Sequence, residues 1–519
     1  MNTTTRFWLP SFADIFFLCA FLRLTLPGDS WLLSDADTGY HIRAGEYILT
    51  NFTVPKRDIF SFISPPLPWI AHEWLSEVIM ALVHRFSGLT GIVIFFSFLI
   101  GLTYCLLFRF AHSLDCNFLI TALIALLATV SSSIHWLARP HIFSLLLTVV
   151  WYWILDNYQY KAKDSLYLLP FLMLLWVNLH GGFIIGFLLL GIYFAGNVAS
   201  LMFAGEHESR IAKIRCEKIA FFTLLSLLAS LINPRGYLLL LFPFSLVSSK
   251  FITDTVVEHL SPNFHQPLPY KYLLLLTIGI FSASRKRLNA SEFVLVLLFT
   301  YMSLYSSRHI PLFAIIITPI LLRHLQSMFP KLDNRLARFF LVRSKNLELI
   351  NASAKGHLWP LISVVGICAL AFNSKIEFKF DESRMPVAAV EFLKKEKLSG
   401  NIFNDDEFGD YLIYAAWPEY KVFIDGREDV YGEIWVRQYL RVANIQPGWN
   451  KVLDKNDITW VFSSAGSPLS TILLENQEWG LIYADHVSHI YAKNTPKNRS
   501  LINKYSYVKP VIKARLPDT

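Results

Sequence analysis

Asp35-Ala36-Asp37-Thr38-Gly39-Tyr40-His41-Ile42-Arg43 sets two carboxylates two residues apart, with a histidine and an arginine close behind. In an extended segment alternate side chains share a face, so Asp35 and Asp37 can serve one site. One can act as a general base while the other orients, or the two together can hold a divalent cation such as Mg or Mn. His41 and Arg43 can add contacts to a polar substrate. The plainer reading makes the acids caps of a helix running from about Tyr40 to Leu49. The motif lies just past an apolar run, where ionisable groups are costly and tend to mark sites.

Other polar clusters punctuate the chain. His72, Glu73 and Glu77 follow Trp69 and sit around Trp74, an interfacial pattern. They can face a substrate, or Glu73 and Glu77 can be the solvated face of a helix. In Asn178-Leu179-His180-Gly181-Gly182 the paired glycines permit close approach of backbone to a ligand, although a satisfied turn histidine is the simpler account. Arg139, Arg235 and Arg308 each stand alone at the end of an apolar run, where a guanidinium can grip phosphate bidentately or snorkel to headgroups. His141, Glu258 and His309 fall in or beside the same connections. Asn404–Tyr411 and Asp425–Asp429 can line an acceptor groove or bind a cation, but most of their charges read as solvated loop.

The elements that must position these groups are membrane spans. Of 519 residues 54% are hydrophobic and 17% charged, against about 25% charged in soluble proteins. Eleven spans are expected, at about 10–28, 89–108, 117–136, 141–156, 165–179, 182–203, 218–232, 270–284, 291–306, 310–326 and 358–374. The apolar stretch 236–248 is too short to cross. The fold class is therefore mainly α: a polytopic helical bundle over 1–374 with a large first outer loop, 29–88. Residues 375–519 lose the long apolar runs. They show helical patterning at Val387–Glu396 and alternation at Tyr420–Asp425 and Ile458–Phe462, which predicts a soluble α/β or α+β domain.

With the N-terminus in the cytoplasm, Lys161, Lys163, Arg210, Lys213, Arg285, Lys286, Arg287 and the basic loop from Arg323 to Lys355 all fall inside. Every polar cluster named above then falls outside, which implies one outward cavity at headgroup depth. The net charge of +8 thus reports topology, and nothing indicates a nucleic-acid partner. The five cysteines show no CxxC spacing and read as buried small hydrophobes.

With these residues in hand, the chain resembles the GT-C superfamily of integral-membrane glycosyltransferases. It is also similar to a set of bacterial membrane proteins that share the patterns seen here at Asp35–Glu46, Pro55–Ser61 and Trp69–Glu77. The resemblance implies an enzyme at the cytoplasmic membrane of a bacterium, its C-terminal domain extracytoplasmic. It would take sugar from a polyprenyl-phosphate donor to a glycan, lipid or protein acceptor. Asp35 or Asp37 would deprotonate the acceptor or bind metal, and Glu258 is the nearest match to a second acidic motif. Arg139, Arg235 and Arg308, with His180, would hold the lipid phosphate while the anomeric carbon inverts. The rival readings are a lipid-linked saccharide transporter or flippase, a glycan polymerase or ligase, and a membrane anchor for other proteins. The apolar midsections of the spans count against the transporter.

Overall fold

A backbone in lipid must satisfy its own hydrogen bonds, and helices do so. The computed structural model describes residues 7–26, 31–248, 250–255, 257–328 and 335–511. Pro27 and Gly28 at the end of the first expected span, residues 29–30 of the loop, and Lys331 lie outside them. The chain divides into two compact units. One comprises the described residues of 1–32, 87–245 and 253–378, the other those of 33–86, 246–252 and 379–511.

The first unit is helical. Among the described residues four helices are long and apolar enough to cross a membrane: Trp74–His112, Phe118–His135, Gly181–Phe203 and Ser307–Met328. Shorter apolar helices occupy Leu166–Leu179, Tyr270–Ala283, Ala290–Tyr305 and Trp359–Phe372. The remaining expected spans fall on helices Phe12–Thr25, His141–Lys161 and Glu206–Ser230. The stretch 236–248 forms a short helix, Tyr237–Ser248, with Pro243 inside it. The Trp74–His112 helix breaks at Ser87-Gly88, where Gly88 takes φ +58°.

Hydroxyls inside the apolar helices look after themselves. Thr129, Thr148 and Thr318 each donate to the carbonyl four residues back at 2.7 Å, leaving apolar surface outward. Phe16, Phe17, Phe21, Phe108 and Phe118 form a buried aromatic core. Arg323 pairs with Asp156 and, at 3.3 Å, with Glu292, so these charged groups are buried together rather than alone. Among the cysteines, Cys105 and Cys216 are buried as expected, but Cys19 and Cys368 are exposed.

The second unit holds a four-stranded sheet: β1 (Asn401–Asn404), β2 (Ile458–Ser464), β3 (Trp479–Ala484) and β4 (Ser488–Lys493), in the order β1-β2-β4-β3. β1 runs parallel to β2, and the other pairs are antiparallel. The helix expected at Val387–Glu396 is present, and the expected strand at 458–462 is β2. Tyr420–Asp425 is not a ladder strand. Its Val422 bridges Ser61 instead, and the Asn404 side chain occupies the Phe423 N–H and the Ile424 carbonyl, both at 2.8 Å. Residues 33–86, contiguous in sequence with the spans, thus pack with the C-terminal residues. Trp417 Nε1 donates to the Ile59 carbonyl at 3.2 Å, and Arg43 Nε to the Tyr414 carbonyl at 2.7 Å.

Candidate active site

The acidic motif opens the helix Asp37–Asn51, so the alternation of an extended strand does not apply to it. Asp35 Oδ1 accepts the Asp37 N–H at 2.9 Å, an Asx-type turn just ahead of the helix, whose N-cap position is Ala36 and carries no side-chain cap bond. Two glycines let the helix approach its neighbours closely. A Cβ at Gly39 would lie 2.6 Å from Tyr414 Cβ and 3.0 Å from the Asp410 carbonyl, and one at Gly45 would collide with the Glu77 carbonyl. The helix is thereby seated against Asp406–Ala416 and against the start of the Trp74–His112 helix.

That seating brings Asp37 to Asp410. Asp410 is 2% exposed, and its two carboxylate oxygens accept the Gly426 N–H at 3.2 and 3.1 Å. A Cβ on Gly426 would run into Asp37 Oδ1 and come within 3.1 Å of Asp410 Oδ2, so both carboxyl groups lie against this glycine. Burial, and then the neighbouring charge of Asp37, push the Asp410 carboxyl well above the usual range. The arrangement is a pair of carboxyl groups of which Asp410 is disposed to keep its proton.

Around the pair lies a buried polar layer. Arg427 donates from Nε and Nη2 to Asp425 at 2.7 Å and from Nη2 to Asp58 at 2.8 Å, while the Tyr431 hydroxyl donates to Asp425 at 2.5 Å. The guanidinium sits 4.6 and 4.7 Å from the ring centres of Trp69 and Phe60. Burial would raise the Asp58 carboxyl, but the charge of Arg427 outweighs it and holds the group low. Glu73 and Glu77 are buried rather than a solvated face. His41 Nδ1 lies 3.8 Å from Glu73 and 3.5 Å from Glu77, and His72 Nε2 lies 3.7 Å from Glu73. Arg43 is engaged by the Tyr414 carbonyl and by Glu46 at 2.5 Å.

Asp410, Asp425 and Arg427, read from sequence as part of solvated loops, are buried. Their local pattern, short and acidic between apolar stretches, gave no sign of this, because Asp37, Asp58, Phe60 and Trp69, which lie against them, are hundreds of residues earlier. Among the described residues no three His, Cys, Asp or Glu side chains are arranged to hold a metal ion.

The helical unit contains a second cluster. Glu258 binds Arg139 at 2.7 Å and lies 3.7 Å from Arg308, whose Nη1 is 3.3 Å from His259 Nε2. Burial would raise the Glu258 carboxyl, but Arg139 and then Arg308 hold it well below the carboxylate range. Burial, followed by the charge of Arg308, lowers His259 to about 4. Two cations thus share one carboxylate. The neighbouring groups are anchored locally. His141 Nε2 is 2.9 Å from the His135 carbonyl, and His309 Nδ1 is 3.3 Å from that of Met302. His180 Nδ1 accepts the Gly182 N–H at 2.8 Å, which leaves the ring proton on Nε2 when the imidazole is neutral. The Arg235 backbone N–H donates to Asn233 Oδ1 at 2.8 Å, and partial burial lowers its guanidinium.

No protein family matches the chain by sequence, and no curated protein does. Solved structures do match. The archaeal oligosaccharyltransferase AglB from Archaeoglobus fulgidus, solved with an inhibitory peptide and a dolichol-phosphate, is similar at a TM-score of 0.55 and 13% identity. The match covers 94% of this chain and 75% of AglB. Arabinofuranosyltransferase AftD from Mycobacteria is similar at a TM-score of 0.50 and 10% identity, over 93% of this chain and 40% of AftD. The fold is that of the GT-C glycosyltransferases. A GT-C fold accounts for apolar helices and a mixed C-terminal sheet within one chain. At this identity it speaks for architecture, and the chemistry rests on the side chains.

Proposed function

We propose that this chain is a membrane glycosyltransferase that moves a sugar from a polyprenyl-phosphate carrier to an acceptor at the outer face of the cytoplasmic membrane. The GT-C fold supports the class, and the buried Asp37–Asp410 pair carries the chemistry. Asp37 is the base. Its carboxylate accepts the acceptor's proton as the acceptor oxygen attacks the anomeric carbon. The bond from that carbon to the phosphate oxygen breaks in the same displacement, its electron pair leaves on the phosphate, and the configuration inverts. Asp410, which favours its protonated form, leaves the negative charge of the pair to Asp37. The carrier phosphate needs cationic partners for its growing charge, and within the helical unit Arg139, Arg235 and Arg308, with His180 donating from Nε2, can supply them. His41, His72 and Glu73 shape the substrate pocket.

The test uses the full chain in nanodiscs, offered polyprenyl-phosphate sugars and a membrane extract as acceptor source, with release of undecaprenyl phosphate as readout. Asp37→Asn is expected to abolish release, while Asp35→Ala, which removes the acceptor of the Asp37 N–H, lowers stability first. Wild-type release from Asp37→Asn would sink the reading.

A further inference from the structure

The helix Arg335–Ser353 has two unlike faces. One packs on the helical unit: the Ser344 hydroxyl accepts the Phe118 N–H at 2.7 Å, Asn351 Oδ1 accepts the Phe12 N–H at 2.9 Å, and Leu347 adjoins the aromatic core. The opposite face carries Phe339, Val342, Leu349 and Ile350, which are 53, 59, 61 and 42% exposed. By helical spacing, Arg338 and Lys345 border that apolar stripe on one side and Arg343 on the other, all three exposed. The Arg343 guanidinium lies 5.7 Å from the centre of the Phe339 ring.

Water disfavours such a stripe, and a protein partner with a hydrophobic groove would not explain its basic borders. A leaflet explains both. The apolar side chains enter the acyl boundary while arginine and lysine stems reach back to the headgroups. The basic residues of this helix, Arg335, Arg338, Arg343 and Lys345, face a single acid, Glu348, so the complementary headgroup is anionic. The location agrees. In sequence the helix lies between two apolar helices, Ser307–Met328 and Trp359–Phe372, and within seven residues of each, too few to carry it far from a bilayer that holds them. We infer that Arg335–Ser353 is an in-plane anchor that binds anionic phospholipid through its arginines and its exposed apolar stripe. This inference is independent of the proposed transferase activity.

Hydrogen exchange of the full chain tests it, in nanodiscs of phosphatidylcholine alone and in nanodiscs that also contain phosphatidylglycerol. Amides of 335–353 are expected to be protected more strongly with phosphatidylglycerol, and the gain should fall about fivefold for each arginine changed to Gln at 335, 338 or 343. High salt should shrink the gain in the wild-type chain, a readout that needs no variant. Equal protection in the two lipids would overturn the inference. So would protection that appears only when a second protein is bound.

Discussion

Arg427 Nη2 donates to Asp58 Oδ1 at 2.8 Å, and both side chains are buried. The residues are 369 positions apart, yet they share a guanidinium that also grips Asp425 and stacks near Trp69 and Phe60. A buried cation costs little only while its carboxylates remain. The bond therefore fixes the first loop against the segment that carries Gly426, and with it the spacing of Asp37 and Asp410.

Arg427→Met should strand Asp58 and Asp425 without their cation and destabilise the chain by about 3–5 kcal/mol. The measurement is the apparent melting temperature of the purified chain in detergent. Arg427→Lys should not rescue it, because one ammonium cannot reproduce the paired Nε and Nη2 donors to Asp425. A melting temperature equal to wild type in either variant would contradict this account.

Gly426→Ala tests the seat of the acidic pair. The added methyl meets Asp37 Oδ1 directly. Displacing a catalytic group by about 1 Å can lower turnover by about a hundredfold. That loss is expected in kcat, with a stability change of only about 1–3 kcal/mol from overpacking. Unchanged turnover would show that the position of Asp37 is not critical.

Asp410 makes stability depend on pH. Its folded carboxyl binds a proton more tightly than the unfolded one, whose ordinary value is 3.8. The stabilisation from that proton is complete below about 3.8 and is lost as pH rises through the folded value. Asp410→Asn replaces the carboxyl with a neutral group of similar shape. Thermal melts from pH 4 to 9 should show the wild-type chain losing stability relative to Asp410→Asn as pH rises. Parallel curves would mean that the carboxyl does not hold its proton.

Undecaprenyl phosphate binding reports on the arginines. Arg139→Ala and Arg308→Ala should each weaken retention of the lipid about tenfold, the worth of a charge-assisted hydrogen bond. Glu258→Gln removes the carboxylate that competes for both guanidinium groups and should strengthen retention instead. Titration of the lipid followed by native mass spectrometry reads both directions. Indifference of all three variants would take the phosphate away from this cluster.

Long-range pairing marks the boundary of what the sequence disclosed. Hydropathy placed a helix at each expected span, because a long apolar run in lipid has one backbone solution. The helix at Val387–Glu396 and the strand at Ile458–Ser464 were legible from their periods. Tyr420–Asp425 alternates like a strand but is used by Ser61 and the Asn404 side chain, and neither partner can be read from local pattern. Asp35 and Asp37 look equivalent at their spacing. The helix start separates them: Asp35 accepts the Asp37 N–H ahead of it, and Asp37, its first residue, lies against Gly426. The burial of Asp410 and Arg427 was illegible for the same reason, since charge alone does not say whether a partner waits elsewhere.

The second unit is assembled from residues made at opposite ends of synthesis. At roughly 5–20 residues per second, residues 33–86 leave the ribosome tens of seconds before residues 379–511. Throughout that interval Asp58 has no Arg427, and the strand-like segment at Ser61 has no Val422 to bridge. A nascent chain truncated before residue 379 should therefore present its first loop to proteases and chaperones, and completing translation should close it.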